Sequence, residues 1–198
     1  MRATTENGSV VELLQDGTWR PASPSAPPED AGFRGVQWGA SRMEILAREG
    51  RSPDRETDRV LIFQTRLADL GCEAVYILLP DGRLVRAKYL VIDSYSNDQR
   101  YLATYDSLRE LLGKKYGKPT EENTYWSDEL YQDDPSNWGM AVSAGHMARY
   151  TNWYIGDTHV LLYLTGNNFE ISVGVEYGSV KLREVENAMD ESRTLGDL

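Results

Sequence analysis

Histidine and serine are the residues of this chain whose types and spacing could support hydrolysis. The sequence holds two histidines, His146 and His159, and His146 lies close to Ser143 in sequence. A serine or cysteine hydrolase needs a nucleophile, a base and an orienting acid. No Gly-x-Ser-x-Gly turn surrounds a serine, and the single cysteine, Cys72, has no flanking signature of a nucleophile. We therefore expect His146 to be an ordinary loop or strand-edge residue. The alternative function is a hydrolase-type enzyme centred on His146 and the acidic loop that precedes it, Glu121 to Gly139.

Carboxylates are concentrated between Glu121 and Gly139, where a hard cation could find oxygen ligands. The acidic residues of this segment are Glu121, Glu122, Asp128, Glu129, Asp133 and Asp134. The order of an EF-hand fails, because Pro135 and Trp138 occupy positions that need a ligand and a glycine. As a glycosidase pair these carboxylates have only composition in their favour. The sequence predicts solvated charge here, with no metal and no cofactor.

Basic residues cluster at one predicted helix end: Arg109, Lys114, Lys115 and Lys118. Cations at that position mostly complement the helix dipole. The run from Gly113 to Thr120 is one residue short of a phosphate-binding loop, and Pro119 stands where a helix should begin. The formal charge of the chain is −10. A field of that sign repels phosphate backbones and anionic lipid, so we expect no nucleic-acid partner.

Aromatic side chains are the remaining candidates for a functional surface, since the chain has 12 Tyr and 5 Trp. Tyrosine and tryptophan combine a large contact area with a polar group and are favoured in binding sites. The candidate binding residues are Trp126, Tyr131, Trp138, Tyr150, Trp153, Tyr154 and Tyr163. Aromatics occupy both faces of the predicted strand Ala148–Ile155. Some of them must therefore face a partner or lie beneath the acidic loop, and both alternatives stay open.

Apolar runs are short throughout the chain, the longest being Ala74–Leu79. A membrane-spanning helix needs about 20 apolar residues, so we expect no membrane insertion. The segment after Met1 lacks the apolar stretch of a signal peptide. The sequence does not decide whether a leader was removed.

The N-terminal residues predict a hairpin and a linker. Val10, Val11, Leu13 and Leu14 precede the turn signal Asp16-Gly17, which leads into Thr18-Trp19. Four of the eight prolines follow between residues 21 and 28, where fixed φ angles favour an extended linker. We expect a hairpin appendage at 1–20 and a linker at 21–32.

The main body is predicted at 33–178. Ser41 and Glu44 have the spacing of a capping box, and Gly50 can close the short helix that follows. A second helix is predicted from Asp98 to Tyr116, ended by Gly117 and Pro119. The predicted strands are Arg59–Leu67, Cys72–Leu79, Arg83–Ile92, Ala148–Ile155, Thr158–Thr165 and Asn168–Tyr177, with turns at Pro80–Gly82, Gly156-Asp157 and Gly166-Asn167. Residues 179–190 could form a frayed helix through Leu182, Val185 and Met189, with a disordered end at 191–198.

The order of these elements indicates an α+β fold with antiparallel sheet. A helix followed by three strands occurs twice, in units of about 33–97 and 98–178, which we interpret as a degenerate internal duplication of an αβββ unit. Each helix must cover the apolar face of its own meander, because neither layer can bury that face alone. The opposite sheet face is then free for contact.

Two segments resemble a known family. The run Phe33-Arg-Gly-Val-Gln-Trp-Gly-Ala-Ser-Arg-Met-Glu-Ile45 resembles the first helix of exported bacterial proteins related to the SmpA/OmlA (BamE-like) lipoproteins, and Leu111-Leu-Gly-Lys-Lys-Tyr-Gly-Lys-Pro119 looks like a second copy. The tandem layout is similar to that of the β-lactamase inhibitor protein. This resemblance implies a duplicated helix-and-sheet fold and a periplasmic or cell-envelope location. It implies no active site, and the lipid-anchoring cysteine near the start is missing.

We therefore expect a non-enzymatic binding or scaffold module, holding a protein partner or a small ligand through the outer sheet face and the acidic loop. A further hypothesis makes the hairpin at 9–19 the docking element, tethered by the linker.

Overall fold

The computed structural model describes residues 2–4, 10–13, 19–21 and 32–196. The first three segments are strands β1 (Arg2–Thr4), β2 (Val10–Leu13) and β3 (Trp19–Pro21), which form an antiparallel sheet in the order β1-β2-β3. Leu13 pairs with Trp19, as expected for the predicted hairpin. The turn Asp16-Gly17 and nearly all of the linker lie outside the described residues, so the domain boundaries stay predictions.

The first half of the body is one helix followed by a meander. Its elements are α1 (Arg42–Glu49), β4 (Arg55–Glu56), β5 (Val60–Leu67), β6 (Leu70–Leu78) and β7 (Leu84–Val91). The capping box is confirmed, because the Ser41 amide donates to Glu44 Oε2 at 2.8 Å and the Glu44 amide donates to Ser41 Oγ at 3.4 Å. Gly50 closes α1 at a φ of 66°. Trp38 anchors the preceding turn by donating from Nε1 to Thr158 Oγ1 at 2.8 Å.

The second half also begins with a helix, has two short helical segments between its first two strands, and ends in a further helix. Its elements are α2 (Gln99–Tyr116), β8 (Glu121–Trp126), a 3₁₀ turn (Pro135–Asn137), α3 (Trp138–Ser143), β9 (Met147–Ile155), β10 (Thr158–Asn167), β11 (Glu170–Ser179) and α4 (Val180–Gly196). The segment from Glu121 to Gly139, expected to be a loop, therefore begins with a strand and ends in a helix. A strand at the edge of a sheet can carry polar side chains on both faces, so it lacks the apolar alternation that betrays a strand. Helix α4 also continues beyond its predicted end at Asp190.

The turn between β10 and β11 differs from the prediction. Asn168 and Phe169 are its central residues, with φ angles of 49° and 64°, and Asn167 pairs with Glu170. Gly166, predicted in the turn, lies inside β10. A Cβ there would stand 2.0 Å from the carbonyl oxygen of Val142, so close backbone approach explains this glycine.

Within residues 32–196 the strands form one eight-stranded sheet in the order β4-β5-β6-β7-β11-β10-β9-β8. Every pair is antiparallel, including the central pair β7–β11. The predicted α+β class with antiparallel sheet is therefore confirmed. The two meanders meet through their last strands, and β4 and β8 are the edges.

The hydrophobic core lies between the sheet and α1–α3, on what we call the inner face. Helix α1 contributes Ile45 to this core, and α2 contributes Tyr105, whose hydroxyl pairs with Thr151 Oγ1 on β9 at 2.6 Å. Helix α4 packs on β7 and β11 from the other side, the outer face. There Arg86 of β7 donates from Nε and Nη2 to Glu186 of α4, both at 3.0 Å.

Candidate binding surface

The predicted aromatic residues of β9 lie on opposite faces of the sheet, because side chains alternate along a strand. Thr151 and Trp153 point inward, and Trp153 is 2% exposed with its Nε1 donating to the Gly117 carbonyl at 3.0 Å. Tyr150 and Tyr154 point outward, since neighbouring strand residues lie on opposite faces. Trp153 is therefore a core residue, and the outward tyrosines belong to the open sheet face.

A groove of about 490 Å³ lies on the outer face at the β8 edge. It is lined by Glu121, Asn123, Tyr125, Ala148, Tyr150, Asn152 and Leu161. Tyr125 and Tyr150 meet edge to face, with ring centroids 5.7 Å apart, and Tyr125 is 58% exposed. The Asn123 amide donates to Glu121 Oε1 at 2.7 Å. The groove thus combines aromatic surface with amide and carboxylate groups.

A stacked pair extends this surface along β9 and β10. The Tyr154 and His159 rings lie 4.6 Å apart at 13°, and His159 Nε2 lies 2.8 Å from Asn152 Oδ1. Burial, with the nearby Arg183 guanidinium, lowers the pKa of His159, so a neutral imidazole is favoured there. Tyr154 is 57% exposed and presents one ring face to solvent.

Tyr163, also a predicted binding residue, fills space on the outer face instead of projecting from it. A Cβ at Gly174 on β11 would stand 2.4 Å from its hydroxyl oxygen, so the ring lies across that glycine. Burial raises the pKa of the Tyr163 phenol. Its role is to cover the strand beside the groove.

Three of the predicted binding residues belong to the acidic segment and lie apart from the groove: Trp126, Tyr131 and Trp138. Trp126 and Trp138 meet edge to face at 6.0 Å, and Trp138 Nε1 donates to the Gln132 carbonyl at 3.2 Å. Both rings, with Tyr131, pack partly buried against the core. These three side chains therefore lie on the inner side of the sheet and do not cover the outward tyrosines.

The groove includes residues that the sequence interpretation missed. Tyr125, Asn123 and Asn152 were not among the predicted binding residues. The available signal was the alternation of Glu121, Asn123 and Tyr125 within six residues, which becomes meaningful only once β8 is assigned as a strand.

A second concavity, of about 610 Å³, lies at the far end of β10 and β11. Backbone and polar side chains line much of it, including Asn167, Asn168 and Glu170, with Leu90 from β7. It lacks the exposed aromatic rings of the groove.

His146 is half-buried and stacks on Tyr131, with ring centroids 5.9 Å apart. Its Nδ1 is buried without a hydrogen-bond partner, and none of the described carboxylates forms an ion pair with it. Ser143 is 1% exposed and its hydroxyl donates to the Met140 carbonyl at 3.2 Å. Among the residues that the structure describes, no nucleophile–base–acid arrangement comes together at His146, and the hydrolase hypothesis stays a prediction.

The carboxylates of the acidic segment serve local turns. Asp134 accepts from the Ser136 amide at 3.1 Å, and Asp128 accepts from the Leu130 amide at 2.9 Å. Hydrogen bonds from Ser136 and Asn137 lower the pKa of Asp134. Among the described side chains no group of three or more His, Cys, Asp or Glu could hold a metal ion. None of the helices in the described part of the chain is long and apolar enough to span a membrane.

Fold and surface together define an α+β protein with one broad antiparallel sheet and a tyrosine-lined groove at its edge. No protein-family model matches the sequence, and no curated protein matches it either. Among solved structures, the chain is similar to the crystal structure of a DUF4309 family protein (YjgB) from Bacillus subtilis subsp. subtilis str. 168, with 13% identity and a TM-score of 0.43. That match covers 77% of this chain and 86% of the other. At this level it assigns neither a family nor a function.

Proposed function

We propose that this protein is a non-enzymatic binding module whose partner docks on the outer face of β8, β9 and β10. The observation that carries the proposal is the groove lined by Tyr125 and Tyr150, continued by the exposed ring of Tyr154. Tyrosine rings combine a large contact area with a polar group and are favoured in binding sites. The groove is open, whereas small molecules bind in pockets that enclose most of their surface, so a macromolecular partner fits it better.

The chemistry of the groove supports binding over catalysis. Its carboxylate, Glu121, is already held by the Asn123 amide, and its neighbour His159 is held by Asn152 and stacked on Tyr154. These polar groups are hydrogen-bonded to one another, and no pair of them is set as nucleophile and base.

Site-specific photo-crosslinking tests the proposal. The photoreactive residue p-benzoylphenylalanine would replace Tyr125 or Tyr154, with control positions at Met43 and Leu111. These controls are 80% and 46% exposed but lie on helices of the inner side. In cells that produce the protein, we expect the two outer-face positions to capture the same partner and the controls to capture none. Capture from the helix positions instead would overturn the proposal.

We also propose that the two halves of the body are a degenerate duplication, in units of about 33–97 and 98–178. The support is the strand order, in which each half runs from an edge strand to the central pair β7–β11 and begins with a helix. Superposing the halves in an experimental structure tests this, because a true duplication requires the same chain path and handedness in both.

A bacterial cell-envelope location is a further proposal, supported by the resemblance of residues 33–45 to exported proteins. Fractionation of the producing bacterium tests it. Recovery with the periplasmic or envelope fraction is the expected result, and recovery only with cytoplasmic markers would contradict it.

A further inference from the structure

Strand β8 leaves one side of its backbone unpaired by any other described strand. It is an edge of the sheet and pairs with β9 in the register Glu121↔Asn152 to Trp126↔Met147. The next residue, Ser127, donates its amide to the His146 carbonyl at 2.8 Å, which continues that register. In an antiparallel pair every second residue bonds to the neighbour. The amides and carbonyls of Glu122, Thr124 and Trp126 therefore point away from β9.

The free edge and the groove share the same strand. The side chains of Glu121, Asn123 and Tyr125 line the groove, while the outward-facing backbone groups alternate with them. A strand added along β8 would lie about 4.8 Å away. Its alternate side chains would then extend the wall of the groove on the outer face.

Exposed edges are usually protected by proline, lysine or shortness. At the other edge of the body sheet, β4 has two residues. Strand β8 has six residues and contains neither proline nor lysine, and its two charged side chains, Glu121 and Glu122, disfavour an acidic strand rather than a basic one. Its edge is thus suited to accept an added strand.

The acidic residues around β8 favour one kind of added strand, a basic one. Between Lys118 and Arg149 the sequence has six acidic residues and no lysine or arginine. Glu121 faces the groove, and Glu122 pairs with Arg109 of α2 at 2.6 Å. The tyrosine rings beside Glu121 can also receive a cation on their faces. A second copy of the chain would bring another net charge of −10, which disfavours self-pairing.

We propose that β8 binds an extended, basic peptide segment of a partner protein as an additional antiparallel or parallel strand, with alternate side chains along the groove. This inference rests on the proposed function of the outer face and names the partner class.

A phage-displayed library of random linear peptides, selected on the immobilised full-length protein, tests the inference. We expect enrichment of peptides in which lysine or arginine alternates with β-branched or aromatic residues. Enrichment of acidic peptides, or of none, would overturn it.

The substitution Thr124→Pro separates strand addition from other binding. It removes an outward amide and leaves the ladder to β9 intact, since Thr124 does not bond to that strand. The selected peptides should bind Thr124→Pro about tenfold more weakly or worse, while the matched control Thr124→Val should bind like the native protein. Peptides that lose affinity for Tyr150→Ala but not for Thr124→Pro would contradict strand addition and leave the proposed function standing.

Amide hydrogen exchange of the unmodified protein gives a second readout if Thr124→Pro does not fold. With peptide bound, exchange at Glu122, Thr124 and Trp126 should slow, while Asn123 and Tyr125, already bonded to β9, should change little. In the free protein, the amides of Glu122, Thr124 and Trp126 could instead exchange more slowly as the protein concentration increases. That result would identify a second copy as the occupant and overturn the proposal. If no outer-face position captured a partner in the photo-crosslinking experiment, the proposed function would be overturned whatever the peptide experiments show.

Discussion

Glu49 is a carboxylate held inside the protein between α1 and the sheet, with its side chain 5% exposed. Arg34 Nε donates to Glu49 Oε1 at 2.6 Å, and the Tyr76 hydroxyl donates to the same oxygen. Burial alone would raise the pKa of Glu49, but the hydrogen bonds from Arg34 and Tyr76 outweigh it, so the pKa is lowered. The charge is therefore retained at neutral pH, and it fixes α1 to the sheet only while its partners remain.

Arg34→Ala should destabilise the protein by about 3 kcal/mol, because it leaves the buried Glu49 carboxylate without its cation. Alanine keeps a Cβ, so the left-handed φ of 54° at this position does not confound the comparison. Arg42→Ala is the matched control, since it removes an exposed ion pair with Glu56 and should cost less than about 1 kcal/mol. Urea unfolding measures both, and equal losses would contradict the assigned role of Glu49.

His159 should make stability fall as the pH drops below the ordinary histidine pKa of 6.5. Its folded pKa is lowered, so the unfolded chain binds the proton more readily. The stability contributed by neutral His159 is complete above pH 6.5. It is lost as the pH falls from 6.5 through the lower pKa that His159 has in the folded protein. Arg183 of α4 and Glu176 of β11 are the charged groups acting on it. The melting temperature of the native protein should decrease more than that of His159→Gln over this range, and parallel curves would contradict a half-buried, neutral His159.

At the scale of elements, the turn between β10 and β11 carries backbone strain. Two-residue turns with both φ angles positive favour asparagine and glycine, and phenylalanine at the second position is costly. Phe169 is also 75% exposed, so its ring gains little from burial in the isolated protein. Its amide nevertheless donates to the Ser143 carbonyl at 2.9 Å, which holds the turn against the end of α3.

Phe169→Gly should therefore raise the free energy of unfolding by about 1 kcal/mol, because glycine adopts a positive φ without strain. Asn168→Gly is the control and should gain less, since asparagine tolerates that conformation. Denaturant midpoints compare the two. A clear loss of stability in Phe169→Gly would mean that the exposed ring has a packing role.

Elements with strong periodic signals were predictable, and those that depend on tertiary neighbours were not. Ser41 and Glu44 predict the start of α1. The apolar residues Ile171, Val173 and Val175 alternate with polar or small ones, which predicts β11. The groove was missed because Glu121, Asn123 and Tyr125 show no apolar alternation, so their strand depends on pairing with β9. The sequence places Gly166 in a turn, because its close approach to the Val142 carbonyl depends on a distant segment of the chain. The faces of Tyr150, Trp153 and Tyr154 followed from alternation, but which face was open did not.

At the scale of the whole molecule, the helices divide the sheet into a covered face and a partly open one. Helices α1–α3 enclose the core on the inner face, and α4 covers β7 and β11 on the outer face, with Glu186 5% exposed beside Arg86. The surface over β8–β10 keeps exposed tyrosines and the groove. A partner that docks there would contact residues of a sheet, so its binding requires little reordering of this protein.

Hydroxyl-radical footprinting of the protein with and without its photo-crosslinked partner tests the binding surface most directly. Docking on the outer face predicts protection of Tyr125, Tyr150 and Tyr154, with unchanged oxidation of Met43 and Leu111 on the helices. Protection of Met43 and Leu111, with the three tyrosines still reactive, would contradict it.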